Sequence, residues 1–600
     1  MRRLLILSAL ALPAFAGSAA AAGPAIMPLS QVHAGMHCTA ATVVKGTTIT
    51  TFDVDIVDIV TQSPSDPSSD LILFKASGPA VDDTGIAEGM SGSPITCLDG
   101  NGVPRIAGAV SYGTGDYGGS LALATPIQSV LQTPVDPPAH VRVARSLIRH
   151  AHRLTSPLVI TGLSPSIAAS LTKAGAKRGR TIVAAPARPR GLTPPAPLQP
   201  GSSLSTLYSD GDIVAGAIGT VTYTDGAKVW GFGHPLDGAG QRSLILGDAY
   251  IYSVVGTPLD VAGATSYKFG APVNDLGTLT ADGPYGVAGV QGALPEVTPI
   301  TVTATSRNTG KTTTLRTNVA NERLLGEPLG FSPLPLLGMS AVAQAAYTTL
   351  QGSPPAQHGQ MCLTITLEGQ PKPAHFCNSY VGAQNFEEGG TPMAGDVANA
   401  LDEVASYSYK LPRITDVHVT MSLGSGDHQA FLQKVTAPKV ARAGHKVKLR
   451  VTMRRTLDGT VLTRDVSIRI PKGTAPGSRK LTLTGAGLDP QFSDGLGSLL
   501  DEGDSGDLET SSNSAGPKNL PALIKAVNAI KRKDGVVVTL GTGNLSKLER
   551  AVGDARSETA FLKALKKLQK AAKASTLSDR ILGGDALRVS GTAKTSIFVR

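Results

Sequence analysis

Two stretches of this chain carry residue types that could break an acyl bond: a serine set among glycines, and a histidine alone in a second glycine-rich run. The first is GIAEGMSGSPI, residues 85–95. Attack on a peptide carbonyl needs a hydroxyl held at a tight turn, with backbone N–H groups aimed where the oxyanion forms. Gly89 permits the positive φ that would turn its own N–H and that of Ser91 toward one point. Gly92 is expected to leave room for a substrate backbone, and Pro94 to stiffen the exit. Ser91 is therefore the expected nucleophile, with Gly89 and Ser91 as the oxyanion hole. Ser93 is the rival hydroxyl, but it lacks the preceding Gly-x.

A serine hydroxyl needs a neighbouring base, and imidazole is the usual one. Of the eleven histidines, His33 and His37 precede the first strand and His140 sits in a proline-rich stretch. His150 and His152 belong to a basic run, RHAHR; His358, His375, His418, His428 and His445 lie where no other catalytic signal occurs. His234 stands apart in VWGFGHPL, at a strand end between Gly233 and Pro235, and is the expected base. Cys38 follows His37, which raises a Cys–His pair, but a disulfide partner for Cys38 disfavours it. Without HExxH or clustered Cys/His spacing, neither metal nor cofactor is expected.

The elements that must position these residues read as β. With 68 Gly, 41 Pro and 4% aromatics, the composition fits many short strands joined by turns. Six hundred residues exceed one hydrophobic core. Within 42–60, Phe52, Val54, Ile56 and Ile59 recur at near period two, and further strands are expected over 71–75 and 106–112. This gives a β-barrel unit over 24–135, bearing the nucleophile. Residues 136–200 read as a linker with a short helix, SPSIAASLTKAG. Residues 201–345 read as a second β-barrel unit carrying His234, with a hairpin turn at Asp225-Gly226. A hairpin and a helix follow over 346–410, an Ig-like β-sandwich over 411–500, a mobile acidic linker over 501–518, and a small α/β region over 519–600.

The first residues read as an export signal over 1–22: Met1-Arg2-Arg3, an apolar run over 4–16, then small residues. That run is shorter than the ~20 residues a spanning helix needs. The expectation is an exported chain, secreted or held in the cell envelope, with no transmembrane anchor after cleavage. In such an oxidising compartment the four cysteines suggest two disulfides. Cys362 and Cys377 bracket a hairpin, which leaves Cys38 for Cys97. The chain has 55 basic and 45 acidic residues, a net +10. Many extra cations follow Lys518, and an anionic envelope surface is a candidate partner. No aromatics interleave with them, so nucleic acid is not expected.

The segment GIAEGMSGSPI resembles the nucleophile loop of chymotrypsin-like double-barrel proteases, with Met90 where those often carry Asp. Together with GAVSYG, TPIQSVL and GAIGTVTYTDGAKVWGFGHPL, it resembles the SpoIVB-type sporulation-factor serine peptidases over about residues 28–305. The resemblance implies two chymotrypsin-like β-barrel units and a serine endopeptidase acting on a protein or peptide, its own linkers included. It maps the nucleophile onto Ser91 and the base onto His234. Here the serine precedes the histidine, the reverse of that family, but a triad is defined by geometry and not by order. The family's acid falls where this chain has Ala76, Ser77 and Gly78. Asp83 is the first candidate for it, then Asp82 and Asp237; a backbone carbonyl, or a dyad alone, is the alternative. The competing expectation is an inactive peptidase-like scaffold that binds protein or cell envelope.

Overall fold

The computed structural model describes residues 23–61, 69–114, 119–137, 152–153, 157–176, 181–187, 191, 193–256, 266–322, 333–354, 356–382, 392–405, 407, 413–426, 428–456, 458–485, 517–530, 535–541, 550, 552–554, 557–581 and 587–600. The expected export signal and nearly all of the acidic linker lie outside them. The chain is mainly β, as its composition implies.

Six strands form the first unit: β1 (His37–Lys45), β2 (Thr48–Val60), β3 (Leu71–Ser77), β4 (Pro94–Leu98), β5 (Pro104–Gly113) and β6 (Leu121–Pro126). They pair antiparallel in the order β4-β1-β2-β3-β6-β5, and β4 also pairs β5, so the sheet closes on itself. Alternation in β2 sends Phe52, Val54 and Ile56 inward to meet Ile72, Phe74, Ile95 and Val110. The step from Ile56 to Ile59 breaks period two because a bulge falls between Ile56 and Asp58. Met90 is buried in this core and anchors the segment over 85–95 from below. Cys38 and Cys97 lie directly opposite each other on β1 and β4 and are bonded, as expected. The bond thus joins two neighbouring strands of the barrel.

After a short helix α1 (Ile127–Leu131) and a two-residue strand β7 (His152–Arg153), the chain enters the region expected to be a linker. Instead, β8 (Leu158–Thr161) pairs antiparallel with a later strand, β9 (Ile182–Ala184) lies parallel to β8, and α2 (Pro165–Ala176) connects them. Ile160, Ile167, Leu171 and Ile182 give that unit an apolar face to bury, which is what a linker lacks. A second closed antiparallel sheet follows: β10 (Ser203–Gly211), β11 (Val214–Asp225), β12 (Lys228–Gly231), β13 (Gly240–Val255), β14 (Tyr267–Gly283) and β15 (Gly286–Gln291). Its order is β10-β13-β14-β15-β12-β11, closed by β10 against β11. Leu204, Val221, Phe232, Leu246, Leu279 and Val287 fill it.

β10 also pairs with β17 (Thr312–Ala320), which pairs with β16 (Val297–Ser306), so the sheet continues outward. It runs on through β20 (Ile414–Ser425), β18 (Gln357–Leu367) and β19 (Ala374–Gly382). The Cys362–Cys377 bond spans the β18–β19 hairpin, as expected. Helix α3 (Pro333–Leu350) is buried on nearly all sides, against this sheet and α4 (Pro392–Ala405). Among the described residues no helix is long and apolar enough to cross a membrane.

Two boundaries need correction. The run Ile414–Ser425, read as the start of the sandwich, pairs parallel with β16 and antiparallel with β18. The strands of the supposed α/β tail, Val536–Leu540 and Thr592–Val599, pair with Gly477–Gly485 and share a core with Lys446–Arg455. Period two announces a strand, but it does not name the neighbour whose backbone completes it.

Removing the Cys38–Cys97 cross-link frees a 59-residue separation in the unfolded chain. The Cys38→Ser/Cys97→Ser variant should lose about 2–4 kcal/mol of stability by denaturant titration. An unchanged midpoint would show that the cross-link constrains nothing.

Candidate active site

The segment over 85–95 that carries Ser91 leaves the first barrel and lies along β11 of the second. Thr220 N donates to Ser91 O (2.9 Å), Thr220 Oγ1 to Gly89 O (3.0 Å) and Thr222 Oγ1 to Gly92 O (2.7 Å). Behind it, Glu88 N donates to Ser266 O and Lys268 N to Glu88 O. The turn itself is closed by Met90 N to Ala87 O and Ser93 N to Met90 O. Gly89 has φ +87°, the left-handed conformation expected of it. Among the described residues, the N–H groups of Gly89 and Ser91 have no acceptor.

The two hydroxyls part company here. Ser93 Oγ donates to Met90 O at 2.6 Å, so its proton is committed to the turn. Ser91 Oγ is buried and has no hydrogen-bond partner among the described residues, His234 Nε2 included. Gly92 does not serve the purpose expected of it. A Cβ there would lie 2.0 Å from Thr220 O and 2.5 Å from Phe232 N, so the space is filled by the second barrel and not by a substrate backbone.

The histidine turn makes the reciprocal crossing, from the second barrel onto the first. Gly233 O accepts from Thr125 Oγ1 on β6 (2.6 Å), and Gly233 is packed against Ala109 and Val110 on β5. Val110 in turn accepts from Gly92 N (2.7 Å) and donates to Ser93 O (3.0 Å). Both loops thus close on the same strand. Phe232 has φ +67° in a three-residue turn closed by Gly233 N to Gly231 O (2.9 Å). That hand is rare and strained for a bulky residue, of order 1–3 kcal/mol. Its ring is held by packing: a Cβ on Gly219 would lie 2.2 Å from it.

His234 is 0% exposed, beside the rings of Phe232 (5.9 Å) and Tyr112 (6.3 Å). Its Nδ1 lies 2.7 Å from Pro235 O. A carbonyl only accepts, so Nδ1 carries a proton, and when the ring is neutral its lone pair is on Nε2. The orienting group is therefore the backbone carbonyl that the sequence left open.

The carboxylates expected in that role are corrected accordingly. Asp83 is exposed in the turn before the segment over 85–95. Asp82 accepts from Gly78 N (2.8 Å). Asp237 accepts from Tyr208 and from Arg242 (2.8 Å).

Sequence reasoning missed a buried acid at this turn, Asp282. Its buried carboxylate accepts from Leu236 N (2.7 Å), Asp237 N (2.8 Å), Gly238 N (2.7 Å) and Ala239 N (3.1 Å). These are the four residues after Pro235. Burial raises the pKa of Asp282, and the Asp237 charge adds to this; Arg242 and the turn amides oppose it. Arg242 is buried at the centre of this network, 3.5 Å from Asp282, and holds Glu322 through two bonds of 2.9 and 3.0 Å. The sequence offered only TADG, which reads as a turn.

Lys268 was missed as well. Its buried ammonium donates to Thr42 Oγ1 (2.8 Å) and Thr220 Oγ1 (3.0 Å), directly behind Gly89. Burial alone lowers its pKa to about 7. The three polar groups join both barrels: Thr42 from β1, Thr220 from β11 and Lys268 from β14. The one described cluster of metal-ligating types, Cys362, His375 and Cys377, has both thiols in a disulfide.

No protein-family model, curated protein or solved structure matches this chain.

A depressed lysine pKa costs stability wherever the group is charged in the folded state. Below pH 7 Lys268 is charged folded and unfolded, and its full burial cost is present. From pH 7 to 10.5 unfolding takes up a proton, so stability should climb with pH by about 1.4 kcal/mol per unit. Denaturant titrations from pH 6 to 10 should show this climb in the native chain relative to Lys268→Met; parallel curves would refute it. At the interface, Gly92→Ala should destabilise by more than ~1 kcal/mol, because it adds both a clash with backbone and a strained φ. Calorimetry would expose the contrary result as an unchanged melting temperature.

Proposed function

We propose that this chain is an exported serine endopeptidase of the SpoIVB type, with a chymotrypsin-like core of two barrels and an appended Ig-like module. The observation that carries the reading is the crossing of the two loops. Each leaves its own barrel to be fixed on the other, and Pro235 O holds His234 through Nδ1, which reserves Nε2 for the lone pair of the neutral ring.

In the proposed reaction Ser91 Oγ bonds to a peptide carbonyl carbon as its proton passes to His234 Nε2. The oxyanion is received by the N–H groups of Gly89 and Ser91. The C–N bond then breaks, Nε2 returns the proton to the departing amine, and water releases the acyl group by the same route. Pro235 O keeps the imidazole in the required tautomer. Asp282 is a positioning residue: it fixes the turn that presents this carbonyl.

One observation favours a second reading, the inert scaffold. Ser91 and His234 are both 0% exposed, so a polypeptide reaches the hydroxyl only after its cover moves.

A small fluorophosphonate probe distinguishes the two. The peptidase reading expects labelling of the native chain that is abolished in Ser91→Ala and His234→Ala and retained in Ser93→Ala and Asp83→Asn. Asp282→Ala should slow labelling roughly 100-fold, the cost of an ångström-scale misplacement. If folded native protein takes up no label, or Ser91→Ala labels equally, the scaffold reading stands.

A further inference from the structure

The C-terminal sandwich carries a charge distribution that its fold does not require. Residues 428–485 contain thirteen Lys or Arg against two Asp, an excess larger than the +10 of the whole chain. The β-register collects much of it on one face. Along Lys446–Arg455, Val447, Leu449, Val451 and Met453 point into the core. Lys446, Lys448, Arg450 and Arg454 are exposed on the other side. Directly across on Val461–Arg469, the register sets Arg469 opposite Lys446 and Asp465 opposite Arg450. On Gln429–Thr436, it sets Lys434 opposite Thr452 and Phe431 opposite Arg454.

Asp465 is the single acid among these positions, and it is already shared by Arg450 (3.0 Å) and Lys448 (3.2 Å). Lys434, Lys446, Arg454 and Arg469 have no carboxylate partner among the described residues. Lys446 and Arg469 face each other directly, an arrangement that disfavours the sheet. Alternate residues on a strand are about 6.8 Å apart, so the cationic rows extend for roughly 27 Å.

We propose that this face binds a linear, phosphodiester-linked polyanion of the cell envelope. The proposal rests on the reading of the chain as exported and is independent of its peptidase activity. A cationic ladder of this length meets a chain of evenly spaced phosphates, and each contact releases a counterion. Phe431 is the single aromatic ring on these rows, so the face lacks the stacking platform with which single-stranded nucleic acid is held. This places the anionic partner on the sandwich, whereas the sequence pointed to the basic tail after Lys518.

The test uses the full chain and poly(glycerol phosphate), with DNA oligonucleotides as competitors, over 50–300 mM salt. Binding should weaken with salt at a log–log slope of roughly −3, about 0.7 per phosphate for four cations. Lys434→Glu/Lys446→Glu should weaken it at least ~10-fold. Lys480→Glu/Lys594→Glu, an equal charge change on the other sheet, should leave it within twofold; unchanged melting would show that both variants fold. Three results would overturn the proposal: no binding at 50 mM salt, equal loss in both variants, or tighter binding to DNA than to the polymer.

Discussion

The arrangement depends on one short contact zone, where Thr220 of the second barrel meets the turn at Gly89–Gly92 of the first. A backbone N–H and a hydroxyl from this one residue fix the carbonyls of Ser91 and Gly89. Carbonyls buried between two barrels must be paired, since an unpaired buried polar group costs on the order of 1–3 kcal/mol. The pairing works only if the two backbones approach closely, and that requires Gly92 to lack a side chain. A hydrogen-bonding demand thereby sets the distance between the barrels. The distance sets what stands beside Ser91.

Around that zone the protein has buried an unusual amount of charge. Arg242 with its three carboxylates, and Lys268 with two hydroxyls, are both removed from water. The two cases differ in kind. The Arg242 network is compensated by ion pairs and four backbone amides, so it can rigidify the turn after His234. Among the described residues Lys268 has only neutral partners, and its charge is opposed by burial alone. Strain at Phe232 belongs to the same pattern: a local cost tolerated where the surrounding packing fixes one geometry.

Much of this was legible in the residues. The glycines around Ser91 and His234 announced tight turns, and Gly89 has the conformation they implied. Both disulfides followed from counting cysteines and recognising one hairpin. Asp282 was not legible, because nothing in TADG distinguishes a turn aspartate from one that gathers four amides 43 to 46 residues away in the chain. Asp83 drew attention by its proximity in sequence to Ser91. Sequence proximity says little about which side chain reaches an imidazole that is itself placed by a different barrel.

By itself the sequence determined the local states: strands from alternation, turns from glycine, cross-links from cysteine, and the residue types able to do acyl chemistry. Each depends on forces acting within a few residues. The tertiary structure alone decided which strand joins which sheet, that Gly92 makes room for Thr220, and that Pro235 orients His234 with Asp282 behind it. Those outcomes come from satisfying buried backbone polar groups across distant segments. That condition is met by whole surfaces fitting together, and no short window of residues contains it.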